Sequence, residues 1–192
     1  EKQFFSVTFH RYYSLLFFAV AALMSVIRPF MRIYVSPEYY EAWQYVPFLL
    51  CGTACSCIAA FSAGIYAAAR KNISVTVSTL TGAVVNVALN MLLIPRMGIM
   101  GAAIATFISW GIIAVYRLVD MRRFFAFPIH YFSLALYAVL LLIQCIAVTY
   151  FGWISIVISI ITLGIISYRE RTNMTEAFTR LKARLFKHEA KK

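Results

Sequence analysis

The stretch YFSLALYAVLLLIQCIAVTYFGWISIVISIITLGIISY, residues 131–168, decides the class of fold because it holds no Asp, Glu, Lys or Arg. A helix needs about 20 apolar residues to cross a hydrocarbon core of roughly 30 Å, and this stretch suffices for two. The whole chain is similar, since 62% of its 192 residues are hydrophobic and 13% are charged. Soluble domains carry about 25% charged residues, so the surface of this protein must lie partly in lipid.

Six apolar stretches predict membrane spans. Helices are expected because lipid cannot satisfy a free backbone group, and the runs are too long and continuous for barrel strands. The sequence therefore predicts an all-α integral membrane protein whose residues 1–168 form a bundle of about six transmembrane helices. The predicted spans are Tyr12–Tyr34, Gln44–Ala69, Ile73–Ile94, Ile99–Val119, Tyr131–Tyr150 and Trp153–Tyr168.

The basic residues alternate between the two sides of this predicted bundle. Fifteen of the 18 Lys and Arg fall on one side, and the other three are Arg28, Arg32 and Arg96. Because Lys and Arg accumulate in cytoplasmic loops, we expect both ends of the segment to be cytoplasmic. The net charge of +11 then lies at helix ends, where it meets anionic lipid headgroups, and nucleic acid is not an expected partner.

Residues 169–192 form a separate basic tail. Met174, Phe178, Leu181 and Leu185 recur at helical spacing, with Arg and Lys on the other faces. This pattern predicts a cytoplasmic amphipathic helix lying on the inner leaflet. The alternative is a polar tail that only enforces topology.

The chemically active side chains predict neither a metal site nor a catalytic site. All four cysteines lie in apolar stretches without a nearby His, which indicates packing. The acids and the three histidines fall at span ends, in loops or in the tail. An intramembrane enzyme would need such groups at depth, so we expect no catalytic residue and no bound cofactor.

Two ridges of small residues predict close helix packing. Such ridges let membrane helices approach each other closely, and they also permit sliding. The first ridge is in the second span and the second in the fourth, and Pro95 is expected to end the third span. The ridge residues are Gly52, Ser56, Ala60 and Gly64, then Gly101, Ala105 and Ser109.

Four polar residues near or within the spans are candidate substrate-binding residues. Asn86 and Asn90 lie one turn apart and should face the bundle, either to bond another helix or to contact substrate. Arg28 and Arg32 are also one turn apart, near the outer end of the first span. They either reach to the interface or face a cavity and attract an anionic group such as a diphosphate, which the guanidinium fork suits.

The third and fourth spans carry a family resemblance. The runs GAVVNVALN (82–90) and LIPRMGIMGAAIAT (93–106) resemble a signature of the polysaccharide and O-antigen flippase family of the multidrug/oligosaccharidyl-lipid/polysaccharide (MOP) exporter superfamily. Two further runs, SPEYYEA (36–42) and AGIYAAARKN (63–72), resemble an outer loop and a basic cytoplasmic turn of that family. The resemblance extends over residues 15–119.

This resemblance implies a two-lobed transporter of about twelve to fourteen helices around a central cavity. The chain would be a C-terminal portion holding the last four helices of the second lobe and two additional ones, with an N-terminal lobe as its partner. Such flippases move undecaprenyl-diphosphate-linked oligosaccharide, an O-antigen or exopolysaccharide unit, across the bacterial inner membrane. They work by alternating access, often with a proton or sodium gradient, and serve the polysaccharide polymerase machinery of lipopolysaccharide synthesis.

Three alternatives remain open at this stage. A drug or metabolite exporter would share the fold, although exporters of cations need acidic residues at depth. A membrane enzyme of polysaccharide synthesis would need acids or His beside a large outer loop, whereas the longest predicted outer loop is Val35 to Trp43. A non-catalytic assembly subunit would use the ridges of small residues to bind partner helices.

Overall fold

The structure, a computed structural model, describes residues 2–123 and 128–171, and these are helical without strands, which confirms the all-α prediction for them. Residues 172–192, which make up most of the predicted amphipathic tail, lie outside the described residues. The α-helices are α1 (Lys2–Tyr34), α2 (Val46–Ala68), α3 (Asn72–Met97), α4 (Ile99–Asp120), α5 (Tyr131–Tyr150) and α6 (Ile154–Arg169), with short 3₁₀ helices at Pro37–Gln44 and Met121–Arg123.

Five of these helices, α1 to α5, are long and apolar enough to cross a membrane. The sixth predicted span corresponds to α6, which is apolar but has 16 residues. At a rise of about 1.5 Å per residue it is about 24 Å long, which is shorter than a typical hydrocarbon core. The described chain is therefore consistent with a multi-pass membrane protein that has five full-length spanning helices and one shorter one.

Two helix bounds differ from those of the predicted spans. The first helix starts at Lys2, ahead of the predicted span that begins at Tyr12, so α1 extends beyond the apolar stretch. Pro95 does not end α3, which continues to Met97. A proline removes one backbone donor, and the helix ends instead at Gly98, whose φ of +58° favours glycine and whose N–H donates to the Ile94 carbonyl at 2.8 Å.

The helices pack as two groups of three. In the first group, α4 lies between α2 and α3. Many apolar side chains of α3, including Leu80, Val84 and Met91, are exposed. In the second, α1, α5 and α6 each pack against the other two. Contacts of α2 with α1 and α5 join the groups, and the core between them includes the buried rings of Tyr13 and Tyr137.

Candidate functional site

Arg28 lies where α1 passes the end of α5. Its guanidinium donates to the carbonyl oxygens of Val148 and Gly152, the latter at 3.3 Å, and stacks over the Trp43 ring at 4.1 Å from the centroid. The last carbonyls of a helix lack partners within the helix and carry partial negative charge. Arg28 therefore caps the C-terminus of α5 and holds it against α1.

The same arginine lines a cavity of about 450 Å³ between α1, α6 and the end of α5. Three hydroxyl groups, those of Ser25, Ser155 and Ser159, line it as well, and the other lining residues are apolar or glycine. The Arg28 Nε is buried and has no hydrogen-bond partner among the described residues. This cavity thus combines one positive charge with several hydroxyls, and no acid is among its lining residues.

The other three candidate substrate-binding residues lie elsewhere. Arg32 is exposed and is not part of the cavity wall. The Asn90 Nδ2 donates to the Asn86 Oδ1 at 2.9 Å, while the buried Asn90 Oδ1 has no partner among the described residues. Because α3 packs against α4 and α2, the structure does not bring the asparagine pair into the Arg28 cavity.

A fully buried glutamine, Gln144, joins the three helices of the second group next to the cavity. The Gln144 Nε2 on α5 lies 2.9 Å from the Ala21 carbonyl oxygen, 3.2 Å from the Ser25 Oγ and 3.0 Å from the Ser159 Oγ. Its Oε1 is buried without a partner among the described residues. Buried polar groups normally have hydrogen-bond partners. The contacts of the Gln144 amide therefore form a small polar region inside an otherwise apolar helix group.

The buried face of α6 is unusually polar. Ser155, Ser159 and Thr162 are buried, while the apolar side chains Ile156 and Ile160 are exposed. On α1, Ser14 lies on the same helical face as Ser25, and its buried Oγ also lacks a partner among the described residues. We call Ser14, Ser25, Gln144, Ser159 and Thr162 the polar seam; it follows the α1–α5–α6 interface.

A buried acid lies at the opposite end of this interface from Arg28. Glu170 follows α6, and its side chain is 3% exposed. Its Oε1 accepts a hydrogen bond from the Tyr137 hydroxyl at 2.6 Å and lies 3.1 Å from the His10 Nε2. Glu170 thus lies at a helix end, as the sequence analysis expects of the acids, but the packing of α1 and α5 buries its side chain there.

A second buried charge ties the first helix group together. Arg117, expected at a cytoplasmic helix end, is 4% exposed. Its guanidinium donates to the Ser78 and Thr79 hydroxyls at 2.8 and 2.7 Å and to the Ala59 and Val75 carbonyls at 2.9 and 3.2 Å. These acceptors belong to α2 and α3, so one arginine on α4 links three helices.

The small residues of the two ridges have different surroundings. A Cβ on Gly52 would lie 3.4 Å from the Phe107 backbone of α4, and one on Gly101 would lie 2.6 Å from the Leu93 backbone of α3. Ala105 and Ser109 are buried, and Ser56 is partly buried. Ala60 and Gly64 instead line an open groove beside Phe5.

Metal-ligating side chains do not cluster in the described part of the chain, where no group of three or more His, Cys, Asp or Glu could hold a metal ion. The four cysteines are unpaired and buried or half-buried within α2 and α5. They pack as apolar side chains.

Sequence reasoning missed Glu170, His10, Gln144 and Arg117. Two signals were available: Ser155, Ser159 and Thr162 recur at helical spacing, and Gln144 interrupts an apolar helix. Neither signal identifies the facing helix, so the sequence did not show which polar groups meet.

Together, the fold and these polar groups describe an all-helical protein whose five apolar helices are consistent with a multi-pass membrane protein. No protein family, curated protein or solved structure matches the chain.

Proposed function

We propose that this chain is the transmembrane bundle of a transporter that flips undecaprenyl-diphosphate-linked oligosaccharide across the bacterial inner membrane. The observation that carries the proposal is the cavity of Arg28, together with the resemblance of residues 15–119 to polysaccharide flippases. In this proposal Arg28 contacts the diphosphate, and the chain works with an N-terminal lobe and hands its cargo to the polysaccharide polymerase machinery.

The chemistry of the cavity suits an anionic headgroup. Arginine attracts phosphate oxygens through its charge and its N–H donors, and the Arg28 side chain lines the cavity. The serine hydroxyls in the wall donate to phosphate or sugar oxygens. A volume of about 450 Å³ lies within the usual range of roughly 300–1,000 Å³ for small-molecule sites.

A drug or metabolite exporter of the same superfamily is the second candidate. The observation that favours it is Glu170, a buried carboxylate of the kind that attracts a cation. Against it, the Glu170 carboxylate already bonds Tyr137 and lies beside His10, and the Arg28 cavity carries a positive charge.

The leaflet on which the cargo accumulates tests this proposal. We would deplete the protein in its host and label lipid-linked oligosaccharides in sealed vesicles with an impermeant reagent. We expect a completed oligosaccharide to build up on the cytoplasmic leaflet. If no intermediate accumulates, or only an unfinished one, the flippase proposal fails and an exporter or an enzyme of assembly replaces it.

Variants of α1 and of the cavity wall on α6 then test the headgroup contact. Arg28→Gln should abolish flipping, and Arg28→Lys should restore part of it because it keeps the charge but not the fork. Arg32→Gln removes the same charge outside the cavity and should have little effect. Ile160→Trp, which narrows the cavity and leaves Arg28 in place, should reduce flipping as well. Equal loss of flipping in Arg28→Gln and Arg32→Gln would contradict a specific contact at Arg28.

A further inference from the structure

An apolar groove runs between α4 and α5, apart from the Arg28 cavity. Both helices pack against α2 but make little contact with each other, so α2 forms the floor of the groove and α4 and α5 form its walls. We propose that this groove holds one acyl chain of an anionic phospholipid whose phosphate binds Arg122. This lipid site is independent of the proposed transport function.

The surface of the groove is apolar along its whole length. Its volume is about 400 Å³. Among the described residues that line it, none is charged, and Tyr131 at one end carries the one hydroxyl group. Gly111 widens the α4 wall, because nothing lies within 4 Å of a Cβ added there. Such a surface favours a hydrocarbon occupant over water.

The dimensions of the groove fit a single hydrocarbon chain. Its walls extend from Phe107 to Leu118 on α4 and from Tyr131 to Leu142 on α5, which is about 16 Å at the rise of an α-helix. This length is about half of a hydrocarbon core of roughly 30 Å, the depth of one leaflet. A volume of about 400 Å³ over that length corresponds to a channel about 5–6 Å wide. Non-bonded carbon atoms pack about 4 Å apart, so one chain fits, whereas a helix about 10–12 Å across does not.

One end of the groove lies beside a well-positioned arginine. Arg122 follows α4 in the 3₁₀ helix Met121–Arg123, and the buried Met121 side chain anchors this turn. The Arg122 guanidinium lies over the Tyr131 ring, 3.9 Å from its centroid, and its Nε donates to the Tyr131 hydroxyl. Because Tyr131 also lines the groove, the positive charge lies at the mouth of the groove.

The charge at this mouth is complementary to a phosphate group. Among the described residues, the Arg122 guanidinium bonds only the Tyr131 hydroxyl and makes no ion pair, and the side chain is exposed. Its amino groups can therefore donate to phosphate oxygens. The neighbouring Arg123 is 77% exposed and adds a second positive charge, with Asp120 at 3.8 Å.

The predicted orientation places this mouth where anionic headgroups are found. The distribution of basic residues predicts that the end of α4 is cytoplasmic. Basic positions between transmembrane helices on that side bind anionic lipid headgroups. A lipid in the groove contacts α4 of the first helix group and α5 of the second, so it also joins the two groups.

Native mass spectrometry tests the headgroup contact. We would purify the full chain in detergent, remove its lipid, and titrate it with phosphatidylglycerol or with phosphatidylcholine of the same acyl chains. The wild type should retain one phosphatidylglycerol molecule and prefer it to phosphatidylcholine. Arg122→Gln should weaken phosphatidylglycerol binding about fivefold and remove this preference. Arg70→Gln, which removes another exposed arginine at the turn after α2, should bind like the wild type. Equal binding by the two glutamine variants overturns the proposal.

Filling the groove tests the acyl-chain contact. Gly111→Leu places a side chain in the groove and should abolish retention of both phospholipids. Gly164→Leu is the matched control, because Gly164 lies on α6 and also has nothing within 4 Å of an added Cβ; it should retain lipid. If circular dichroism shows that Gly111→Leu does not fold, Ala138→Leu on the α5 wall replaces it. Unchanged retention in a folded variant with a filled groove overturns the proposal.

Two competitors then distinguish the phospholipid from other phosphate compounds. Glycerol phosphate carries the phosphate without an acyl chain and should not displace phosphatidylglycerol from the wild type. Displacement by glycerol phosphate would show a phosphate site without a chain site and would refute the assignment. Undecaprenyl phosphate should compete more weakly than unlabelled phosphatidylglycerol. If it competes more strongly, the groove holds a polyprenyl chain and the phospholipid proposal fails.

Discussion

At the scale of single residues, the most consequential side chains are charged groups that the bundle buries. Arg117 makes four hydrogen-bond contacts to α2 and α3, and none of its acceptors is a carboxylate. A buried guanidinium that donates several hydrogen bonds to neutral oxygens stabilises the packing of the helices that carry those oxygens. Its role is therefore structural, in contrast with Arg28, which lines a cavity.

We expect Arg117→Lys to destabilise the protein by roughly 1.5–3 kcal/mol, because lysine cannot present the same planar set of donors and leaves buried acceptors unpaired. Thermal unfolding in detergent, followed by circular dichroism, measures the change. Arg123→Gln is the control, since the Arg123 side chain is 77% exposed and lies 3.8 Å from Asp120. Its effect should stay below about 1 kcal/mol, and equal shifts in both variants would contradict the structural role of Arg117.

At the scale of helices, the close approach of α3 and α4 depends on a glycine. The two helices are joined by a tight turn at Gly98, and Gly101 then faces the backbone of Leu93, where an added Cβ would meet the carbonyl carbon and oxygen at 2.6 Å. Backbone atoms cannot move aside as a flexible side chain does. The helices would have to separate locally.

Gly101→Ala should therefore destabilise the bundle by about 1–3 kcal/mol, the usual cost of overpacking. Gly164→Ala provides a matched control on α6, because nothing lies within 4 Å of its added Cβ. That substitution should be neutral or stabilise by up to about 1 kcal/mol, since alanine favours a helix over glycine. Chemical unfolding of both variants in the same detergent would measure the difference in their free energies of unfolding. An unchanged free energy of unfolding in Gly101→Ala would mean that α3 and α4 do not approach this closely.

At the scale of the whole molecule, each helix group is held by its own buried polar groups. Arg117 links α2, α3 and α4, whereas Gln144 and Glu170 link α1, α5 and α6. The Arg28 cavity and the Glu170 cluster lie at opposite ends of the second group. If the basic residues set the topology as predicted, the cavity faces the outer leaflet and the Glu170 cluster the cytoplasm.

Cysteine labelling tests this orientation. Glu38→Cys, in the segment between α1 and α2, should react with an impermeant maleimide added to intact cells. Lys71→Cys, between α2 and α3 and also exposed, should react only after the membrane is opened. The native cysteines lie within helices α2 and α5, so unsubstituted protein reports the background. The reverse order of reaction would invert the predicted topology.

The sequence by itself determined the helical class, the membrane environment and the positions of the apolar segments, because charge exclusion over about 20 residues is a local property of the chain. It also singled out Arg28 as a candidate contact for an anion. Only the tertiary structure decided that Arg28 lines a cavity while Asn86 and Asn90 lie on another helix group, and that Glu170 is buried against His10. The physical reason is that burial and hydrogen bonding depend on which helix faces pack together. The periodicity of a sequence indicates that a helix has a polar face, but it does not indicate which helix that face contacts.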